Sequence, residues 1–302
     1  MIRDRGFVLV NALVLVAAMA AVAVFLLARA EGARVRLEQS QSSDQIGYYL
    51  DGFDALAITL LNSDNGNVDH PGDAWAKADY SVPVDRGQIT GQITDVQGLF
   101  NLNWLTDPTN TRARAAFDQL LNRTGIAPQT GTAIVAFLRS GGPDARQAYA
   151  RLDPPIDPVG GAVLMFEQLR DIPQLRPSDF EKLRRVATAL PADSTLNINT
   201  TSTQILAGFL PELTPPVIER LLAVRAREPY SATADFVTAA ETALGEGLDD
   251  SFDVARFSVA SEWFRVDSTA RLGNHTARRT SILFRAPFPA GTSVRWHTTT
   301  RP

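Results

Sequence analysis

The chain has 302 residues, a formal net charge of −4 and no cysteine. That balance gives no general attraction to nucleic acid or to an anionic surface, and the fold cannot depend on disulfides. Beyond an apolar start, the length leaves room for two modest domains.

Residues 1–6 are a short charged leader ending in Gly6, and residues 7–28 are apolar except for Asn11. About 20 apolar residues cross a bilayer as a helix, so this run is long enough to span. Three readings compete. A cleaved secretory signal would use Ala28-Arg29-Ala30, but the apolar run exceeds the usual h-region and Arg29 sits inside the cleavage motif. A plain anchor is poorly oriented by charge, because Arg29, Arg34 and Arg36 balance Arg3 and Arg5. In the third reading, the junction Gly6-Phe7 resembles the class III signal of type IV pilins and type II secretion pseudopilins. That resemblance implies cutting between Gly6 and Phe7 by a prepilin peptidase, methylation of Phe7, and retention of the apolar helix. Most pilins carry glutamate at the fifth mature position, which here is Asn11. A carboxylate in hydrocarbon is costly unless paired, so its absence suggests a subunit with no neighbour above it.

Helical spacing continues through Ile46, Tyr49, Leu50, Phe53, Leu56, Ala57, Leu60 and Leu61, which predicts one helix from Phe7 to about Leu61. Turn chemistry at residues 62–66 ends it. Alternation then predicts strands at 80–84 and 88–94, and again at 256–266 and 278–285, with a short edge at 294–297. Between them, residues 98–254 read as helical, with helices at 111–123, 129–138, 162–169, 177–187, 202–209, 215–227 and 232–244. An internal repeat divides this insert. Asn101-Leu102-Asn103 and Asn197-Ile198-Asn199 are each followed by paired helices around a Pro-containing break.

Gly6-Phe7, Asp95-Val-Gln-Gly-Leu-Phe-Asn-Leu-Asn103, Leu196-Asn-Ile-Asn-Thr200 and Ser261-Glu-Trp-Phe-Arg-Val266 together resemble the general secretion pathway protein K family. These are the largest minor pseudopilins of type II secretion. The resemblance implies an α+β fold, with a pilin-like long N-terminal helix on a small antiparallel sheet and a large all-helical insert of two SAM-like subdomains. On that reading 1–6 is the leader, 7–28 the transmembrane part and 29–62 the periplasmic part of the helix. The sheet takes 63–97 and 255–302, and the insert 98–254. It also implies a place at the pseudopilus tip in the bacterial inner membrane and periplasm. The implied partners are I- and J-type minor pseudopilins, the major pseudopilin, the prepilin peptidase, the inner-membrane secretion platform and secreted substrates.

Other chemistries find less footing. The second repeat resembles a helix-hairpin-helix DNA-binding module, with Arg220, Arg225 and Arg227 nearby. Its hairpin, however, is Leu213-Thr-Pro-Pro-Val217, and proline offers no N–H to phosphate. His70, His275 and His297 are far apart and fit no catalytic motif, so no enzyme and no catalytic residue is expected. Calcium is the metal that two oxygen-rich loops would suit, one with Asp64, Asn65, Asp69 and Asp73, the other with Asp249, Asp250 and Asp253. No ligand is assigned, because turn carboxylates are ordinarily solvated. The paired asparagines read as capping and turn residues, and Trp104 as packing between sheet and insert. Trp263 and Phe264 point to opposite faces of a strand, one toward the core.

Overall fold

A computed structural model describes residues 4–64, 66–85, 87–248, 252–287 and 289–300, with side chains from Leu9 onward. Helix α1 (Asp4–Ser63) is continuous. None of its most apolar window is buried, and Leu9 to Leu27 leave their side chains largely exposed. Farther along, Ile46, Leu50, Phe53, Ala57 and Leu61 recur every three or four residues and are all buried. That stripe faces the body of the protein, with Tyr49, Leu56, Ile58 and Leu60 packed at its margins.

That stripe lies on a five-stranded antiparallel sheet in the order β1-β2-β7-β8-β9. The strands are β1 (Tyr80–Val84), β2 (Gly87–Asp95), β7 (Trp263–Leu272), β8 (His275–Ala286) and β9 (Gly291–Thr300). Alternate residues of β7 turn inward, so Phe264, Val266, Ala270 and Leu272 meet α1. Trp263 points to the other face and packs against Phe284, with ring centroids 4.7 Å apart. Gly91 lets the helix approach β2, because a Cβ there would meet Cζ of Phe53 at 2.5 Å.

Strands β2 and β7 are direct neighbours, with Asp95 paired to Phe264, yet the whole insert lies between them in sequence. The insert holds α2 (Thr111–Thr124), α3 (Pro128–Leu138), α4 (Pro177–Leu183), α5 (Thr203–Phe209), α6 (Pro215–Arg227) and α7 (Thr233–Leu244). Asn110 caps α2 by accepting from Ala113 N at 3.1 Å, and proline opens α3, α4 and α6, where a missing N–H costs nothing.

Among the described residues, the strands of the insert form two parallel ladders of two residues each. β3 (Phe100–Asn101) pairs with β4 (Ala187–Thr188), and β5 (Leu196–Asn197) pairs with β6 (Phe257–Ser258). Each ladder joins the chain entering one half of the insert to the chain leaving it. The two halves share one hydrophobic core, in which Phe100 stacks on Phe117 at 5.5 Å and on Phe209 at 5.9 Å.

Several expectations change. The strand expected at 256–266 is broken, because Ser258 Oγ donates to Ala260 O and accepts from Ala260 N, turning the chain before β7 begins. Residues 162–169 form a 3₁₀ turn at Phe166–Asp171 rather than a helix starting at 162. Trp104 lies inside the insert's own core beside Phe100 and Phe209, not between sheet and insert. The edge expected at 294–297 is the full ten-residue β9.

Candidate functional site: the junction of sheet and insert

Where the insert leaves the sheet, Asp95 is the last residue of β2 and is buried. Its Oδ2 accepts from Asn197 Nδ2 at 2.9 Å, Thr200 Oγ1 at 2.5 Å and Ser261 Oγ at 2.7 Å, while Oδ1 accepts from Gln97 N at 2.8 Å. Burial pushes the Asp95 carboxyl above its ordinary range, against the pull of these donors. Gln97 works in both directions. Its Nε2 donates to Thr195 O at 3.0 Å, and its Oε1 accepts from the backbone N–H of Glu262 and Trp263. Gly98 closes the motif, since a Cβ there would meet Thr200 Oγ1 at 2.6 Å and the Thr200 carbonyl carbon at 2.9 Å. Asp95, Gln97 and Gly98 thus bind the insert to the sheet at one point.

The segment following α1 enters the same network. Asp69 is buried, its Oδ2 accepts from Ser261 N at 2.7 Å, and it pairs with Arg285. Its backbone O accepts from Asn197 Nδ2 at 3.2 Å, and its N–H donates to Val259 O at 2.9 Å. Burial raises the Asp69 carboxyl to about 6, although Arg285 opposes the rise. The sheet, the insert and the end of α1 therefore meet in one buried polar cluster.

The asparagine repeat has a physical meaning beyond capping. Asn103 accepts from Val163 N at 2.9 Å and donates to Val163 O at 2.8 Å. Asn199 accepts from Tyr230 N and donates to Tyr230 O, both at 3.0 Å. In each half the second asparagine grips one distant residue by both backbone groups. The first asparagine accepts from the N–H of the second, at 3.1 Å for Asn101 and 2.9 Å for Asn197. All four are buried.

Asp64, Asp69 and Asp73 come together, with one carboxylate oxygen from each lying within 4.8 Å of the others. They are the residues that could hold a calcium ion, and the all-oxygen donor set fits, with Asp69 Oδ1 buried and without a hydrogen-bond partner. Arg285 supplies positive charge here, 3.5 Å from Asp64 Oδ2 and paired with Asp69. Asn65, Asp249 and Asp250 lie outside the described residues, and Asp253 caps a 3₁₀ turn by accepting from Ala255 N at 3.0 Å. His70 pairs with Asp73 at 3.1 Å, and His275 and His297 lie on β8 and β9. Arg225 is spent on the carbonyl oxygens of Ile198 at 2.5 Å and Thr201 at 2.8 Å. Gly6 and Phe7 lie in the first turns of α1, the side chain of Phe7 being outside the described residues, and Asn11 is exposed on the same helix. Nothing in the structure brings Asn11 to the junction.

Asp95, Gln97, Thr200 and Ser261 stand in the stretches that carry the family resemblance, and Arg285 ends an expected strand, but no local pattern gives any of them a task. The signal for Asp95 and Gln97 was a cluster of polar residues at the end of an alternating strand.

Two family models match the chain, both described as type II secretion system (T2SS), protein K, over residues 98–192 and 196–259. Together they cover more than half of it, and they divide where the two parallel ladders divide. The chain is 26% identical to a type II secretion system protein K of Pectobacterium carotovorum subsp. carotovorum, over 93% of this chain and 92% of that one. It is also 26% identical to the protein K of Pseudomonas aeruginosa, over 93% of this chain and 89% of that one. A crystal structure of the GspK-GspI-GspJ complex from the enterotoxigenic Escherichia coli type 2 secretion system has the same fold. Its TM-score is 0.75 at 21% identity, covering 88% of this chain and all of that one. By these matches the chain belongs to the type II secretion system protein K family.

Proposed function

We propose that this minor pseudopilin sits at the tip of the type II secretion pseudopilus, where it starts and caps the fibre that drives protein export across the outer membrane. Helix α1 would anchor it in the bacterial inner membrane, with the bulk of the chain in the periplasm. Its role is assembly rather than catalysis. One observation carries the reading: the insert is fixed to the segment that directly follows α1, through Asp69, Asn197 and Ser261. The exposed apolar part of α1 lies at the helix's opposite end. A mass of helices held at the membrane-distal end would obstruct another subunit stacking above. Partners of the I and J type follow from the complex that the similar Escherichia coli structure contains.

The leader belongs to the same proposal. A prepilin peptidase would cut between Gly6 and Phe7 and methylate Phe7, and Asn11 would stand where a repeating subunit needs a carboxylate. DNA binding receives no support, since Arg225 is held by two carbonyl groups. The test is N-terminal mass spectrometry of the membrane-associated protein with and without a prepilin peptidase, joined to cross-linking with the I and J subunits. A methylated Phe7 terminus and a K–I–J adduct are expected. A terminus at Glu31, or an intact Met1 in cells that carry the peptidase, would overturn the pseudopilin reading.

A further inference from the structure

Three arginines follow the apolar part of α1, and the structure separates them by task. Arg34 pairs with Glu31 at 3.3 Å and Glu38 at 3.8 Å. Arg29 and Arg36 have no ion-pair partner among the described residues. The sequence explains this. One turn away from Arg29 stand Phe25, Leu26, Gly32 and Ala33, and one turn away from Arg36 stand Gly32, Ala33, Gln39 and Ser40. No acid is within reach.

Seven residues make about two helical turns, so Arg29 and Arg36 share a face, while Arg34 lies about 140° around from Arg29. The Arg36 side chain also folds back toward the apolar end. Its Nη1 lies 3.6 Å from the point that a Cβ on Gly32 would occupy. Its charge is thereby carried down one turn, to about 5 Å above Arg29 along the axis. A headgroup layer is about 5–8 Å thick on each side of the hydrocarbon. If residues 7–28 span the bilayer, Arg29 stands at the inner edge of that layer and the Arg36 guanidinium, beside Gly32, falls inside it. Gly32 and Ala33 between them leave the face low enough for a headgroup to reach both.

We propose that Arg29 and Arg36 form a clamp for the phosphate of an anionic phospholipid in the leaflet where α1 leaves the membrane, setting the height at which the folded body stands. This rests on the membrane-anchored reading above. Guanidinium groups suit phosphate because their forked N–H donors match its oxygens, and anionic headgroups attract basic residues beside a membrane helix.

The chain has no cysteine, so a single Val35→Cys can carry a spin label in the full-length protein. The protein is reconstituted in vesicles of phosphatidylcholine alone or mixed with phosphatidylglycerol, and label depth is read from collisions with oxygen and with a water-soluble nickel chelate. Phosphatidylglycerol is expected to draw the label about 3 Å toward the phosphate plane, half a helical turn. R29Q and R36Q should each lose most of that shift, and R34Q, which removes the same charge from a paired site, should keep it. Equal loss in all three variants would overturn the clamp, as would a depth indifferent to lipid charge, and both leave the anchor intact. Protein that fails to float with the vesicles would overturn the anchor and the clamp together.

Discussion

Asn197 Nδ2 donates to Asp95 Oδ2 at 2.9 Å across 102 residues of chain. This bond joins the last residue of β2 to the first asparagine of the second half of the insert, and Thr200 and Ser261 donate to the same oxygen. A carboxylate buried without a cation in direct contact is tolerable because four donors surround it. The insert is thus held by directional bonds rather than by a flexible linker.

Gly98→Ala should destabilise the protein by about 1–3 kcal/mol, the usual range for overpacking. The added methyl would press on Thr200, whose carbonyl carbon would lie 2.9 Å away. Thermal unfolding checks this, and an unchanged Tm would show that the junction can part without cost.

Asn103→Ala and Asn199→Ala should behave alike, because each removes a side chain that pairs both backbone groups of a distant residue. Leaving buried backbone groups unpaired should cost about 2–3 kcal/mol in each variant. Urea denaturation gives the comparison. Asn122→Ala, on the exposed side of α2, should change stability by less than about 0.5 kcal/mol.

Between α1 and the sheet, Arg279 is buried and bonds Asp51 Oδ1 at 2.5 Å and Asp54 Oδ2 at 3.2 Å. Arg279→Met would leave the buried Asp54 without its cation, at a cost of about 3–5 kcal/mol. Adding Asp54→Leu should recover a large part of that loss. A double-mutant cycle by chemical denaturation decides it, and full additivity would contradict the pairing.

Asp69 supplies a pH signature. Its folded pKa of about 6 lies above its ordinary value of 3.8, with burial as the cause. A raised acid contributes stability that is fully present below its unfolded pKa and is lost as pH rises through the folded one. The stability difference between the protein and Asp69→Asn should therefore move against the parent between pH 4 and 6, by up to about 3 kcal/mol, and level off above. Denaturation at several pH values reads the slope, and a flat difference would mean that Asp69 keeps its ordinary pKa.

Much of the local structure was legible. The helix expected at 215–227 is α6 (Pro215–Arg227), because proline at its start and apolar residues at helical spacing mark it independently of context. The break at 259–262 was not legible. Its cause is a side-chain hydroxyl, Ser258, bonding two residues ahead within a segment whose residues favour a strand. Trp104 was misplaced for a related reason, since an aromatic residue after a turn reveals that it will be buried but not against what.

The sequence alone determined the long helix with its apolar start, the order of strands around a helical insert, the doubled asparagine pair and the resemblance to protein K. These depend on periodicity, capping and short motifs, which act over a few residues. Only the tertiary structure decided what Asp95, Gln97, Asn197 and Ser261 do, and that the two halves of the insert share one core. Buried hydrogen bonds and shared cores join residues about a hundred positions apart, and nothing in a local pattern encodes which distant donor a buried acceptor will meet.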